Sequence, residues 1–152
     1  MAVIAELDIA LKQDAADWKQ AIALAGVLLT RGGHATDQYT AEMIRTVEEL
    51  GPYIVIAPGF ALAHSRPSPS VLGPGLSLVT LRTPVEFGSA ANDPVDIVVG
   101  LCSLDHVSHV ERLAALAGYL GSDGSMEFLR SATDPGAVAA SLNDFNESGA
   151  KK

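Results

Sequence analysis

Cationic side chains are scarce in this chain. Ten Lys and Arg stand against eighteen Asp and Glu, and the formal net charge is −8. A nucleic-acid partner needs a basic footprint for its phosphates, so that class is excluded. Cysteine is nearly absent. The single Cys102 has no internal disulfide partner, which fits a reducing compartment, and its neighbours Val99 and Leu101 mark it as a small buried residue. No Gly-x4-Gly-Lys-Ser/Thr loop is present to cradle nucleotide phosphates. The apolar run Ala21–Leu29 is too short to span a bilayer, and the N-terminus lacks the basic start of a secretory signal. The expected location is therefore cytoplasmic, without direct membrane insertion. Internal repeats and low-complexity tracts are missing too, which excludes solenoids and disordered linkers.

What remains is apolar: 48% hydrophobic residues with only 18% charged, in 152 residues. That is the length and composition of one globular domain with a proper core. We read residues 1–147 as the domain and residues 148–152 as a frayed polar tail.

Periodicity places the elements. Asp14 can cap a helix from Ala15, in which Trp18, Ile22, Ala25 and Leu29 share a face; Gly32 and Gly33 stop it. Thr36 can cap a second helix carrying Tyr39, Met43, Val47 and Leu50, ended by Gly51 and Pro52. Tyr53–Ala57 reads as a buried strand, Pro58 and Gly59 as a turn, and 60–63 as a short extended piece. Residues 65–75 hold three prolines and two glycines and read as a surface loop. Leu76–Leu81 and Val95–Leu101 read as strands, with 84–87 as a short edge strand because Pro84 cannot donate to a ladder. Ser103 or Asp105 starts a helix through Leu120, and 125–131 is a short helix. Asp134 and Pro135 are the cap and first position of a last helix to about Phe145. Helices first, strands in the middle and helices last predict an α/β fold: a mixed β-sheet sandwiched between helices.

The chemistry has to come from four histidines: His34, His64, His106 and His109. A neutral imidazole offers one ring nitrogen as a nucleophile while a hydrogen bond holds the other. His64 is the one delivered at a strand end, in the run GPYIVIAPGFALAHSRP of residues 51–67. Arg66, two residues on, can fork onto a phosphate or contact a partner, and equally can be a solvated surface residue. His109 lies in DHVSHVERLAALAGYL, residues 105–120, and its spacing to Leu113 and Leu116 puts it on the sheet-facing side of that helix. There it can be a packing residue, or can meet phosphoryl oxygens beside the helix's first N–H groups. His106 and His109 are three apart, a spacing that could begin a metal site, although three or four ligands would be needed. His34, after a helix stop, reads as an exposed loop residue.

The run 51–67 closely resembles the active-site signature of enzyme IIA domains of the bacterial sugar phosphotransferase system (PTS). The resemblance is to the mannitol/fructose superfamily, and within it to the ascorbate-specific (pentitol-type) branch. GLSLVTL (75–81), PVEFG (84–88) and NDPVDIV (92–98) are also similar to that branch, so the likeness covers nearly the whole chain. Two positions depart from it: Ala63 and Ser65 stand where the family usually has proline and often alanine around the histidine. Other branches carry an arginine in the helix before the active-site strand. Arg45 lies a turn-neighbour away from that slot, and the role is not carried over.

The resemblance implies the mannitol/fructose-type enzyme IIA fold and a phosphotransferase without cofactor or metal. His64 would accept phosphate from the phosphocarrier protein HPr and pass it to a IIB component. His109 would orient or stabilise the phosphoryl group. The membrane IIC component would be an indirect partner and would choose the sugar, ascorbate or a related sugar acid or pentitol. Both partners would dock on a rim formed by Phe60, Leu62 and the 67–74 loop. Two other readings remain open: a regulatory phospho-acceptor of the same fold, and a histidine metal-site enzyme using His64, His106 and His109.

Overall fold

The computed structural model describes residues 4–150, with the side chains of 106–110, 112–113 and 146–150 outside that description. A short 3-10 turn (Glu6–Asp8) leads into β1 (Ile9–Gln13), α1 (Trp18–Arg31) and α2 (Asp37–Leu50). The hairpin β2 (Val55–Ala57) and β3 (Phe60–His64) follows, then β4 (Gly75–Val85) and β5 (Val95–Cys102). The chain closes with α3 (His106–Leu120), α4 (Ser125–Ser131) and α5 (Pro135–Ala150). The five strands form one mixed sheet in the order β1-β4-β5-β3-β2, with β1–β4 and β3–β5 parallel and the other pairs antiparallel. The expected α/β sandwich is what the chain forms.

The pleat divides the core into two layers. Ala61, Ala63, Val98 and Cys102 face α1 and α2. Phe60, Leu62, Ile97, Val99 and Leu101 belong to the opposite layer, with Leu116, Leu129, Val138 and Leu142 from α3, α4 and α5. The small residues on the first face let α1 approach the sheet. A Cβ on Gly100 would meet Ser77 Oγ at 2.5 Å and Ala25 Cβ at 3.2 Å, while Ser77 Oγ itself donates to the Ala25 carbonyl at 2.8 Å.

Several boundaries differ from the sequence reading. The cap of α1 is Asp17, not Asp14. Its carboxylate accepts from Gln20 N (2.9 Å) and Gln20 Oε1 accepts from Ala16 N (2.8 Å), whereas Asp14 pairs with Arg82 at 3.2 Å. Two reciprocal bonds to otherwise orphaned donors outcompete one cap. Leu50, expected on the buried face of α2, is 68% exposed. The run Tyr53–Ala57 keeps only β2 as strand, at the sheet edge, with Ile56 exposed; the positive φ of Gly51 (89°) turns the chain before it. Pro84 sits in β4 between β1 and β5, not in a separate edge strand. The register with β5 shifts between Thr80 and Val85, so no rung there requires a proline N–H. β1 was not foreseen: its polar end, with Lys12 at φ 53°, hides the pairing signal.

Candidate active site

The parallel pairing of β3 with β5 runs from Phe60 opposite Ile97 to His64 opposite Leu101. His64 is therefore the last paired residue of β3. It stands at the carboxyl end of two parallel strands, where open α/β sheets place their ligands. Strand alternation aligns it with Phe60 and Leu62, on the face covered by α3, α4 and α5. The 103–105 turn leaves β5 at the same end and leads into α3.

The imidazole is held by its own strand. His64 Nδ1 lies 2.8 Å from the Leu62 carbonyl oxygen. A carbonyl only accepts, so Nδ1 carries the proton and the lone pair resides on Nε2. The ring meets Tyr53 edge-on, with centroids 5.6 Å apart at 79°. Partial burial raises the Tyr53 phenol above its ordinary pKa, and the positive charge of Arg66 works against that rise.

Around His64 opens a cleft of about 910 Å³ lined by α2, the turn before β2 and the loop after β3. Among the described residues Arg66 is the cation of its lining, exposed on the rim, while Glu42 and Glu49 bring two carboxylates. Glu42 is committed to the loop: its carboxylate accepts from Ser68 Oγ (2.7 Å) and Ser70 Oγ (2.5 Å). One turn on, Thr46 Oγ1 lies 3.3 Å from Ser65 Oγ. One turn back, the phenol oxygen of Tyr39 accepts from Ser65 N at 2.9 Å and lies 2.8 Å from the Leu101 carbonyl oxygen. Positions 39, 42 and 46 fall on neighbouring turns of one helix side, so a single side of α2 fixes the backbone beyond His64.

The site can thus present an imidazole Nε2 in a cleft with a guanidinium at its rim, which suits nucleophilic attack on an anionic group. The family description "Phosphoenolpyruvate-dependent sugar phosphotransferase system, EIIA 2" matches residues 2–145. The chain belongs to this EIIA family. It is a phosphoryl-transfer component of a sugar phosphotransferase system, a phosphotransferase that relays phosphate through a histidine. The ascorbate-specific PTS system EIIA component of Escherichia coli K12 is 40% identical over 103 residues, spanning 68% of this chain and 67% of that one. The solution structure of the E. coli mannitol-specific cryptic enzyme IIA CmtB superposes with a TM-score of 0.83 at 28% identity, covering 95% of this chain and 99% of that one. The E. coli mannitol IIA solved in complex with phosphorylated IIB shares the fold, with a TM-score of 0.80 at 24% identity over 91% and 96% of the two chains.

Of the residues singled out in the sequence, His64 and Arg66 line one cleft. The α3 backbone begins at His106, and Leu116 is buried on its sheet-facing side. The side chains of His109 and His106 lie outside the described residues. Among the described residues no group of three His, Cys, Asp or Glu is placed to hold a metal ion. Phe60 and Leu62 are not a docking wall: at 1% and 2% exposure they pack in the second core layer. Leu50 and Tyr53 are the exposed apolar residues of the cleft, and Leu72 and Leu104 are exposed in turns at the same end of the sheet. His34 is not a free loop residue either. Its Nε2 lies 3.0 Å from the buried Asp8 carboxylate, and its carbonyl accepts from Leu72 N and Gly73 N.

Tyr39, Glu42 and Thr46 went unrecognised as site residues. The available signal was the placing of Tyr39, Glu42 and Thr46 on one side of an amphipathic helix, beside its buried Met43, just before the signature strand.

Proposed function

We propose that His64 is the phosphoryl acceptor of this EIIA chain, taking the group from phosphorylated HPr and delivering it to a IIB component. The observation that carries this reading is the Leu62 carbonyl at 2.8 Å from Nδ1, which supports Nε2 as the attacking atom. In the first half-reaction Nε2 attacks phosphorus in line. The new N–P bond forms as the bond to the donor's imidazole breaks, and the donor ring keeps that electron pair. The Nδ1 proton stays where it is, and the Leu62 carbonyl stabilises the positive charge the ring gains. In the second half-reaction a IIB cysteine thiolate attacks the same phosphorus, and His64 leaves as neutral imidazole. No proton has to be relayed, so catalysis reduces to positioning and charge stabilisation.

Arg66 at the rim meets the phosphoryl oxygens or the partner's chain. His109, near the start of the helix that follows β5, takes the orienting role that the family resemblance gives it. Leu50, Tyr53, Leu72 and Leu104 form the apolar rim for both partners, and the carboxylates around it favour a basic partner face. The membrane IIC component selects the sugar, and the 40% identity to ascorbate-specific EIIA components points to ascorbate or a related sugar acid or pentitol. No helix among the described residues is long and apolar enough to cross a membrane. The family membership supports a cytoplasmic relay working beside IIC.

The test is to incubate the protein with phosphorylated HPr and locate an acid-labile phosphate by peptide mass spectrometry under alkaline conditions. Phosphate on His64 that then moves to IIB supports the relay. Phosphate on another residue, or none, overturns it. Phosphate on His64 that no IIB accepts would favour the regulatory reading of the same fold.

A further inference from the structure

The β3–β5 ladder stops one residue too early. Its last pair is His64 with Leu101, and the next backbone donor, Ser65 N, does not continue it. Instead the Tyr39 phenol oxygen accepts from Ser65 N at 2.9 Å and lies 2.8 Å from the Leu101 carbonyl oxygen, to which its proton is donated. The Ser65 carbonyl oxygen is also near, at 3.1 Å. A side chain from α2 has replaced a rung of the sheet directly beyond the nucleophile.

We propose that Tyr39 is a positioning residue for phosphoryl transfer: its phenol substitutes for the next β3–β5 rung and thereby fixes the backbone that aims His64. The inference rests on His64 being the acceptor. Three features make the phenol a rigid spacer. Its ring is 1% exposed, in the core layer that also holds Met43 and Val47 of the same helix. Its hydroxyl is satisfied on both sides by backbone groups. Burial pushes its pKa well above the ordinary value, so it keeps the proton it donates. An ordinary rung would place Ser65 N directly on the Leu101 carbonyl, whereas here the hydroxyl bridges the two. The imidazole sits one residue before this bridge, with Nδ1 returned to Leu62. A small misplacement of a reacting group costs about 10²-fold in rate. A site that works by positioning is therefore sensitive to the atom that holds this bridge.

The experiment compares wild type with Tyr39→Phe, which removes one oxygen from a ring already packed in the core. Three readouts are taken: the rate and half-saturation of phosphate acceptance from phosphorylated HPr, the ¹⁵N shifts of the His64 ring, and hydrogen exchange of the Ser65 amide. The expected result is a 10- to 100-fold fall in rate at unchanged half-saturation. The wild-type ring should show the Nδ1–H tautomer and the variant a mixture. The Ser65 amide should be protected in wild type and exposed in the variant. A variant with lowered thermal stability but wild-type rate and wild-type ring shifts would reduce Tyr39 to a packing residue. A Ser65 amide that exchanges freely in the wild type would overturn the substituted rung without any mutation. If wild type carries its phosphate elsewhere than on His64, the acceptor assignment fails first, while the Ser65 protection still reports on the rung.

Discussion

Glu42→Ala is the substitution that most directly probes how the cleft is held together. The Glu42 carboxylate accepts from two hydroxyls in the loop after β3, Ser68 Oγ at 2.7 Å and Ser70 Oγ at 2.5 Å, and Ser68 Oγ in turn accepts from Ser70 N at 3.2 Å. Ser70 is 8% exposed, so its hydroxyl cannot turn to bulk water when the carboxylate goes. Hydrogen bonds to a charged group contribute about 1.5–3 kcal/mol each, and a buried hydroxyl left unpaired costs about 1–3 kcal/mol. The two bonds share one acceptor group and are not additive, and Ser68 regains water in part. The joint loss is then about 2–4 kcal/mol. For a chain of this size that lowers Tm by about 4–16 °C.

Urea unfolding followed by tryptophan fluorescence from Trp18 reads this directly. The midpoint should fall while the slope m stays constant, because the surface exposed on unfolding is unchanged. Hydrogen exchange should show the loss concentrated in residues 66–74. Glu42→Gln retains one carbonyl acceptor and should recover part of the difference. A midpoint within about 0.5 kcal/mol of wild type for Glu42→Ala would refute the claim that this carboxylate fastens the loop. So would loop protection unchanged in the variant.

Three further outcomes test the site and the core. His64→Ala should abolish phosphate acceptance without altering the urea midpoint by more than about 1 kcal/mol, since the ring is only half-buried at a strand end; intact-protein mass spectrometry reads the phosphate. His109→Ala should still accept from HPr but transfer onward poorly, which rapid-quench measurement of the two half-reactions separates. Gly100→Ala should cost about 1–3 kcal/mol by overpacking. Its new Cβ would lie 2.5 Å from Ser77 Oγ and 3.2 Å from Ala25 Cβ between a central strand and α1, and calorimetry reads the shift.

The elements that could be read from the sequence are those whose burial is one-sided or complete. Trp18, Ile22, Ala25 and Leu29 announce α1, and the apolar run of β5 after Asp96, residues 97–102, announces a strand covered on both faces. The misreadings are where tertiary partners decide. Residues 9–13 alternate too weakly to declare β1, because the strand borrows its stability from parallel pairing with β4. Phe60 and Leu62 flank His64 in sequence, and that proximity alone suggests a rim. Strand alternation sends them into the second core layer with the α3–α5 side chains, and the rim comes from Leu50 and Tyr53, which were read as core. The proposed nucleophile could be picked out because its signature is local. Its support could not, because what the Tyr39 hydroxyl reaches, Ser65 and Leu101, is set by how α2 lies across two strand ends.

The same phenol makes a prediction about alkaline stability. Burial is the main reason its pKa is raised, and the carboxylate of Glu42 adds to the rise. A tyrosine in the unfolded chain ionises near pH 10. Above that pH the unfolded state sheds a proton that the folded state keeps, so the unfolded state binds fewer protons and folding stability falls as pH rises. The contribution is intact below about pH 10 and is lost as pH climbs toward the folded-state value. If Tyr39 stays protonated in the fold throughout, the loss between pH 9 and pH 11 amounts to about 1.4 kcal/mol. Lysines and the other tyrosines titrate in the same range, so the test is a difference. Urea midpoints of wild type and Tyr39→Phe should converge by about that amount over those two pH units, because phenylalanine has no proton to lose. Parallel pH profiles would mean that the phenol ionises in the fold as readily as outside it. A phenolate cannot donate to the Leu101 carbonyl, and a hydroxyl that ionises freely could not be the fixed rung between β3 and β5.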